Sequence, residues 1–208
     1  MPYIGTQPND VKKNTGLYTP SEILQLTKEG SWGGSLELIQ SQTVTSASAV
    51  DFTSLKGNLY NVHLLELING HCADDNKAFT TQLSNDSGSS FETSNYQWAF
   101  QYMKSNGTFQ EKKSTSDSAI SLVHNIGNST GEQVSGYIYY YNLNNSSKYS
   151  FTNHQFTGMT QDPDYISTFG GGVYAVAETI NAIRLLITSS TFASATVNLY
   201  GVKQIWVT

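Results

Sequence analysis

Two runs near the end of the chain, Ala182–Ile187 (AIRLLI) and Ala193–Val202 (ASATVNLYGV), decide the fold class. In the first, Ile183, Leu185 and Ile187 fall on one face and Ala182, Arg184 and Leu186 on the other. The second continues through Thr196, Val197, Leu199, Tyr200 and Val202. A period of two is the signature of a half-buried strand. The polar turn between the runs is short, which makes an antiparallel hairpin the expected arrangement. Such a pair needs earlier strands to cover its apolar face. The runs hold no paired carboxylates, no nucleophile beside a base and no metal-ligand spacing, so they read as architecture.

Composition narrows the class. A chain of 208 residues suits one large all-β domain with a short appendage. Charged residues are 13% and the net charge is −5, which argues against a nucleic-acid partner gripped through its phosphates. Polarity comes instead from Ser, Thr, Asn and Gly, with 13 tyrosines, a mix suited to hydrated surfaces and binding loops. Cys72 stands alone, so no intrachain disulfide forms and a buried, inert thiol is expected. No run approaches the length of a membrane helix, so no membrane insertion is expected. The N-terminal MPYIGTQPND lacks the basic and apolar regions of a cleaved secretion signal.

Taken in order, residues 1–18 carry two prolines and no sustained periodicity, and read as an extended arm. Thr19-Pro20-Ser21-Glu22 then matches a capping box, with Thr19 at N-cap and Glu22 at N3. Ile23, Leu24 and Leu26 give the following short helix an apolar face, and Gly30 is placed to end it. So short a helix is marginal alone and needs a surface to dock on. Residues 1–34 are therefore expected to form an arm and helix, and 35–208 a β domain.

Within that domain, strands are expected over Ser35–Gln40, Ala49–Phe52 and Asn58–Ile68, the last closed by an Asn69-Gly70 turn. Phe79–Leu83 and the aromatic Tyr96–Tyr102 follow, then Ala119–His124, Glu132–Leu143 and a strand through Tyr149 and Phe151. Gly170-Gly171-Gly172 is expected to precede a strand at Val173–Ala177. Ten to twelve strands joined by Gly/Asn/Ser turns predict an antiparallel two-sheet sandwich of jelly-roll type.

Candidate chemistry is sparse. His63, His71, His124 and His154 lack ligand spacing and read as hydrogen-bonded structural histidines. Asp74-Asp75 and Asp162-Pro163-Asp164 match no calcium loop and read as solvated loop charge. The glycine triplet does not join a strand to a helix, so a phosphate loop is disfavoured. No cofactor is implied. Aromatics are the stronger lead: Trp98 with Tyr96, or Tyr139 with its strand neighbours Tyr137 and Tyr141, are candidates for stacking on sugar rings, against the plainer reading of core or subunit-interface packing. Alternation puts one set inward and one outward without saying which.

Several segments carry a resemblance. MPYIGTQP (1–8), GLYTPSEILQLTKEGSW (16–32) and SLELIQS (35–41) resemble the opening of tailed-bacteriophage virion structural proteins, particularly those of marine phages. FTTQLSNDSGSSF (79–91), HNIGNSTGEQVSGYIYYYN (124–142) and INAIRLLITSSTFASATVNLYGVKQ (180–204) are similar to the β-sandwich domains of such proteins. The resemblance implies a non-enzymatic virion protein, assembled in the host cytoplasm and displayed on the particle as a tail fibre or tail-associated part with receptor contact. The alternatives are a capsid decoration or cement protein, or a carbohydrate-binding module. It implies other virion proteins as partners, a host surface glycan as a possible contact, and no catalytic residues. Tyr3, Ile4, Leu17, Tyr18, Ile23, Leu24 and Leu26 are the candidate virion anchors, because the arm leaves them without a core of their own. Low-charge aromatic strands further suggest a homo-oligomer, with a trimer the leading guess.

Overall fold

The computed structural model describes residues 19–28 and 35–203. The short helix α1 (Pro20–Lys28) opens with the anticipated capping box. The Thr19 N–H donates to Glu22 Oε2 at 2.7 Å, and the Glu22 N–H donates to Thr19 Oγ1 at 3.3 Å. That bonding holds the Glu22 carboxyl below its usual range. The helix belongs to a separate unit from the sandwich, which spans Leu36–Gln204, and is described by itself.

Twelve antiparallel strands follow: β1 (Leu36–Ala47), β2 (Ala49–Phe52), β3 (Val62–Cys72), β4 (Lys77–Ser84), β5 (Tyr96–Lys104), β6 (Phe109–Asp117), β7 (Ile120–Ile126), β8 (Val134–Tyr141), β9 (Ser150–Met159), β10 (Tyr165–Tyr174), β11 (Ala182–Ile187) and β12 (Phe192–Val202). One sheet has eight strands in the order β1-β12-β3-β8-β9-β10-β5-β6, and the other has four, β2-β11-β4-β7. The quartets β1-β12-β3-β8 and β2-β11-β4-β7 have jelly-roll connectivity: outside the inserted hairpins the chain alternates between the sheets, except from β4 to β7, which pair within the smaller one. Two hairpins, β5–β6 and β9–β10, are inserted into that frame and widen the larger sheet. The expected jelly-roll-like sandwich is what the chain forms.

The two C-terminal runs do not pair with each other. β11 lies between β2 and β4, while β12 lies between β1 and β3 in the opposite sheet. Both arrangements produce the same alternation, because Ile183, Leu185 and Ile187 bury against the interior whether the next strand lies beside them or across from them. Here Val197 and Leu199 come from the facing layer, and the 188–191 turn carries the chain between sheets.

The core fills the space between the layers. Leu65, Leu67, Ile138, Phe156, Val197 and Leu199 point in from the large sheet, and Phe52, Phe79, Leu83, Ile120, Leu122 and Leu185 from the small one. Each such side chain contributes about 1.5–3 kcal/mol by leaving water. Buried tyrosines satisfy their polar tips across the layers. The Tyr140 hydroxyl bonds Thr81 Oγ1 at 2.8 Å, and Tyr96 Oη accepts the Leu83 N–H at 2.8 Å. On the outside of the small sheet, Arg184 grips Asp51 with two 2.7 Å bonds and sits 3.8 Å beneath the Phe91 ring, tying β11 to β2 and to the loop after β4.

Two local expectations are corrected, and one strand was not anticipated. Asn69-Gly70 is not a turn: β3 runs through to Cys72, and a positive φ of 51° at Asn69 is absorbed as a bulge against β8. The glycine triplet does not precede a strand but occupies the middle of β10. A Cβ at Gly170 or Gly171 would lie 2.3 Å from the carbonyl oxygen of Ala99 or Thr152, so β9 and β5 approach too closely there for any side chain. Finally, the polar segment Phe109–Asp117 (FQEKKSTSD) forms β6, an edge strand with no apolar periodicity to announce it.

Candidate functional site

The candidate site is the outer face of the eight-stranded sheet, built by the parity of each strand. On β5, Tyr96, Trp98, Phe100 and Tyr102 turn inward and are buried, leaving Gln97, Ala99, Gln101 and Met103 outside. Tyr96 (0% exposed) and Trp98 (8%) therefore offer no open ring to a ligand, which corrects their reading as glycan-stacking residues. Trp98 stacks on Phe100 at 5.5 Å and its Nε1–H donates to Asp117 at 2.9 Å. The other tyrosine set faces out: Tyr137, Tyr139 and Tyr141 alternate with the buried Ile138 and Tyr140 on β8. Tyr139 is partly buried, packed edge-on with Tyr137 at 5.8 Å and stacked with Tyr141 at 6.3 Å, so its faces are turned towards its neighbours.

The registers of the sheet align one outward row across all eight strands: Ser41, Asn198, Glu66, Tyr137, Gln155, Phe169, Gln101 and Glu111. Its first half is a bonded polar chain. Ser41 Oγ donates to Asn198 at 2.6 Å, and Asn198 Nδ2 donates to Glu66 at 3.1 Å. Its second half alternates ring and amide, with Tyr137 (40% exposed) and Phe169 (44%) separated by Gln155, whose side-chain oxygen accepts the Tyr137 hydroxyl at 3.1 Å. Neighbouring strands lie about 4.8 Å apart, so the two rings stand about 10 Å from each other. Beyond Phe169 the row opens into a shallow cleft of about 440 Å³ lined by Gln101, Phe109, Gln110 and Glu111. Phe109 is 58% exposed there. Glu111, the row's terminal carboxylate, is paired with Lys113, which holds its pKa below the usual range.

An adjacent row is mostly apolar until it ends on a charge: Leu38, Tyr200, Leu64, Tyr139, Asn153, Gly171, Ala99 and Lys113. The glycine and alanine leave a low floor beside Phe169. Such a face presents apolar ring surfaces and neutral hydrogen-bonding groups with little net charge. It suits a ligand whose C–H faces stack on rings while its hydroxyls meet amides.

Phe109, Gln155 and Phe169 were not singled out by sequence reasoning. Phe109 sits in a strand without periodicity, and Phe169 adjoins the glycines expected to precede one. A signal did exist near Gln155: Phe151 and Phe156 are five residues apart on one strand, so they must lie on opposite faces. Phe151 is exposed and Phe156 buried.

Other candidates resolve individually. His63 Nε2–H donates to the Leu55 carbonyl at 2.7 Å, and His71 Nε2–H to that of Asn128 at 2.9 Å. His124 bonds Ser121 Oγ at 2.6 Å, the distance of a nucleophile–base pair, yet among the described residues no carboxylate bonds its other ring nitrogen. Asp117 is engaged by Trp98, and burial and Lys112 depress the His124 pKa to about 4, which makes it a poor base at neutral pH. His154 departs from the expected pattern, being buried with neither nitrogen hydrogen-bonded. Cys72 is buried and its thiol is pushed up to about 12 by desolvation, so it is inert as expected. Among the described residues no three His, Cys, Asp or Glu side chains gather to hold a metal. Asp74 instead accepts from Ser190 at 2.7 Å, and Asp164 from Asn106 at 2.7 Å. Of the anchor candidates, Leu24 is exposed and Ile23 half-buried, whereas Tyr3, Ile4, Leu17, Tyr18 and the Leu26 side chain lie outside the described residues.

No protein-family model matches the chain, and no curated protein is significantly similar to it.

Proposed function

We propose that this protein is a non-enzymatic structural component of a bacteriophage virion, displayed on the particle and associated with its tail. The observation that carries the reading is the division of labour along the chain. A capped helix with an exposed Leu24 forms part of one unit, and a self-contained jelly roll with an uncovered aromatic face forms the other. The first suits attachment and the second suits presentation. The resemblance of residues 1–41 to virion proteins points the same way. The test is imaging of purified particles labelled with an antibody to the sandwich. Label on tails is the expected outcome. Label on heads would convert the reading to capsid decoration, and particles free of the protein would end it.

A second reading, as a carbohydrate-binding module, is favoured by the ring–amide row through Tyr137, Gln155, Phe169 and Gln101. On this reading Phe169→Ala weakens binding of neutral oligosaccharides at least tenfold in titration calorimetry, and Trp98→Phe, inside the core, leaves it unchanged. Saturable binding that survives loss of both Phe169 and Tyr137 would place the sugar elsewhere.

A further inference from the structure

We infer that the outer edge of β1 is a self-pairing surface, through which two copies of this chain join their large sheets across a two-fold axis near Thr43. β1 is the outermost strand of that sheet and pairs with β12 alone among the described strands. Among the described residues no strand pairs with its outward-directed N–H and C=O groups, a ladder that proteins ordinarily guard with charge, shortness or irregularity. The other three sheet edges are guarded. β6 carries Glu111, Lys112, Lys113 and Asp117. β2 has four residues, and β7 pairs with β4 through two register irregularities. β1 is 12 residues long with Glu37 as its one charge, and Glu37 is held by Lys203 at 3.1 Å. After a bulge between Leu38 and Gln40, β1 is regular against β12 from Gln40 to Thr45, ahead of the positive φ of 53° at Ser46.

A second copy fits this edge because the regular stretch is self-complementary. With Thr43 facing Thr43 of the second copy, Ser41 faces Thr45 and Gln42 faces Val44, and no charge meets a like charge. Thr43 Oγ1 already bonds Thr196 Oγ1 at 3.1 Å, so the pairing extends an existing cross-strand hydroxyl ladder. Glu37 falls outside the paired stretch. A two-fold perpendicular to the sheet keeps both outer faces on one side, and the two rings-and-amides rows then lie on a single surface. Weak contacts to a repetitive ligand become bivalent in that arrangement.

The inference stands independently of the virion reading, since it concerns the free protein in solution. The test is sedimentation equilibrium of the full chain across the micromolar range. The expected species is a dimer of the 22.8 kDa chain in exchange with monomer. Thr43→Lys sets two ammonium groups opposite each other, about 5 Å apart at Cβ, and weakens dimerisation at least tenfold. Thr43→Val keeps the strand-forming shape and preserves the dimer, as does Thr115→Lys on the opposite edge. Amide exchange of the unmodified protein, which no variant can confound, slows over residues 40–45 as concentration rises. A monomer at every concentration, a trimer, a dimer indifferent to Thr43→Lys, or concentration-independent exchange at residues 40–45 would each overturn the proposal.

Discussion

His154 shows how a single residue couples packing to solution conditions. It is 4% exposed, lies between the Phe100 and Phe156 rings at 5.9 Å from each, and has no hydrogen-bond partner for either nitrogen. Burial pushes its pKa down to about 4, and His124, on the other side of Phe100, is driven to about 4 by burial and by Lys112. Both rings are neutral in the fold at pH 7, while in the unfolded chain they protonate near 6.5. The unfolded state therefore binds more protons between pH 6.5 and 4, and acid favours it over that window. Each histidine removes up to about 1.4 kcal/mol of stability per pH unit there, and little more below pH 4. The melting midpoint should be level above pH 7 and fall steeply from 6.5 to 4.5. Burial lowers the buried His63 as well, so His154→Phe, which matches its aromatic neighbours, should cut that slope by about a third to a half and raise the midpoint at pH 5. A midpoint independent of pH in this window, or a variant with an unchanged slope, would refute the assignment.

At the scale of elements, legibility in the sequence tracked burial on one face. β5 presents an aromatic residue at every second position and β3, β8 and β12 keep that spacing over part of their length, which was enough for alternation to locate them. The same alternation could not report partners, because β11 and β12 bury the same faces as neighbours in a hairpin or as opposite walls of the core. Nor could it find β6, whose Lys and Glu side chains guard an edge, nor assign the aromatic sets to faces. Tyr96 and Trp98 went inward because β7 and its flanking loops cover β5, and that cover is set by topology. The glycines of β10 misled for a related reason: a glycine triplet usually breaks strands, but here the crowding of β9 and β5 demands it. Gly171→Ala should consequently lower stability by about 1–3 kcal/mol, since its Cβ would meet the Thr152 carbonyl oxygen at 2.3 Å. Gly131→Ala, with nothing within 4 Å of the added carbon, should be close to neutral. Equal denaturation midpoints for the two variants would show that β9 and β10 part more readily than their packing implies.

The whole molecule poses the question of what its first unit is for. The jelly roll from Leu36 to Gln204 closes a core of its own, drawing on Phe52, Phe79, Leu65, Tyr140, Phe156, Ile183 and Leu199. The N-terminal region, by contrast, holds Tyr3, Ile4, Leu17, Tyr18, Ile23, Leu24 and Leu26 within a sequence too short and broken to bury them together. A nine-residue helix is marginal without tertiary packing, even with its capping box complete. On the proposed virion reading, the arrangement is economical if these residues bury against a second protein of the particle, with the chain's stability residing in the sandwich. A chain shortened to begin at Gly33 should then keep β-rich circular dichroism and cooperative melting within a few degrees of the full protein, yet fail to join particles in a reconstitution with unlabelled virion components. Leu24→Asp in the full chain should reproduce the assembly defect alone, because Leu24 is 55% exposed and its replacement leaves the sandwich core intact. Unfolding of the shortened chain would make the first unit part of the sandwich's stability, and normal assembly without it would move the attachment site onto the jelly roll itself.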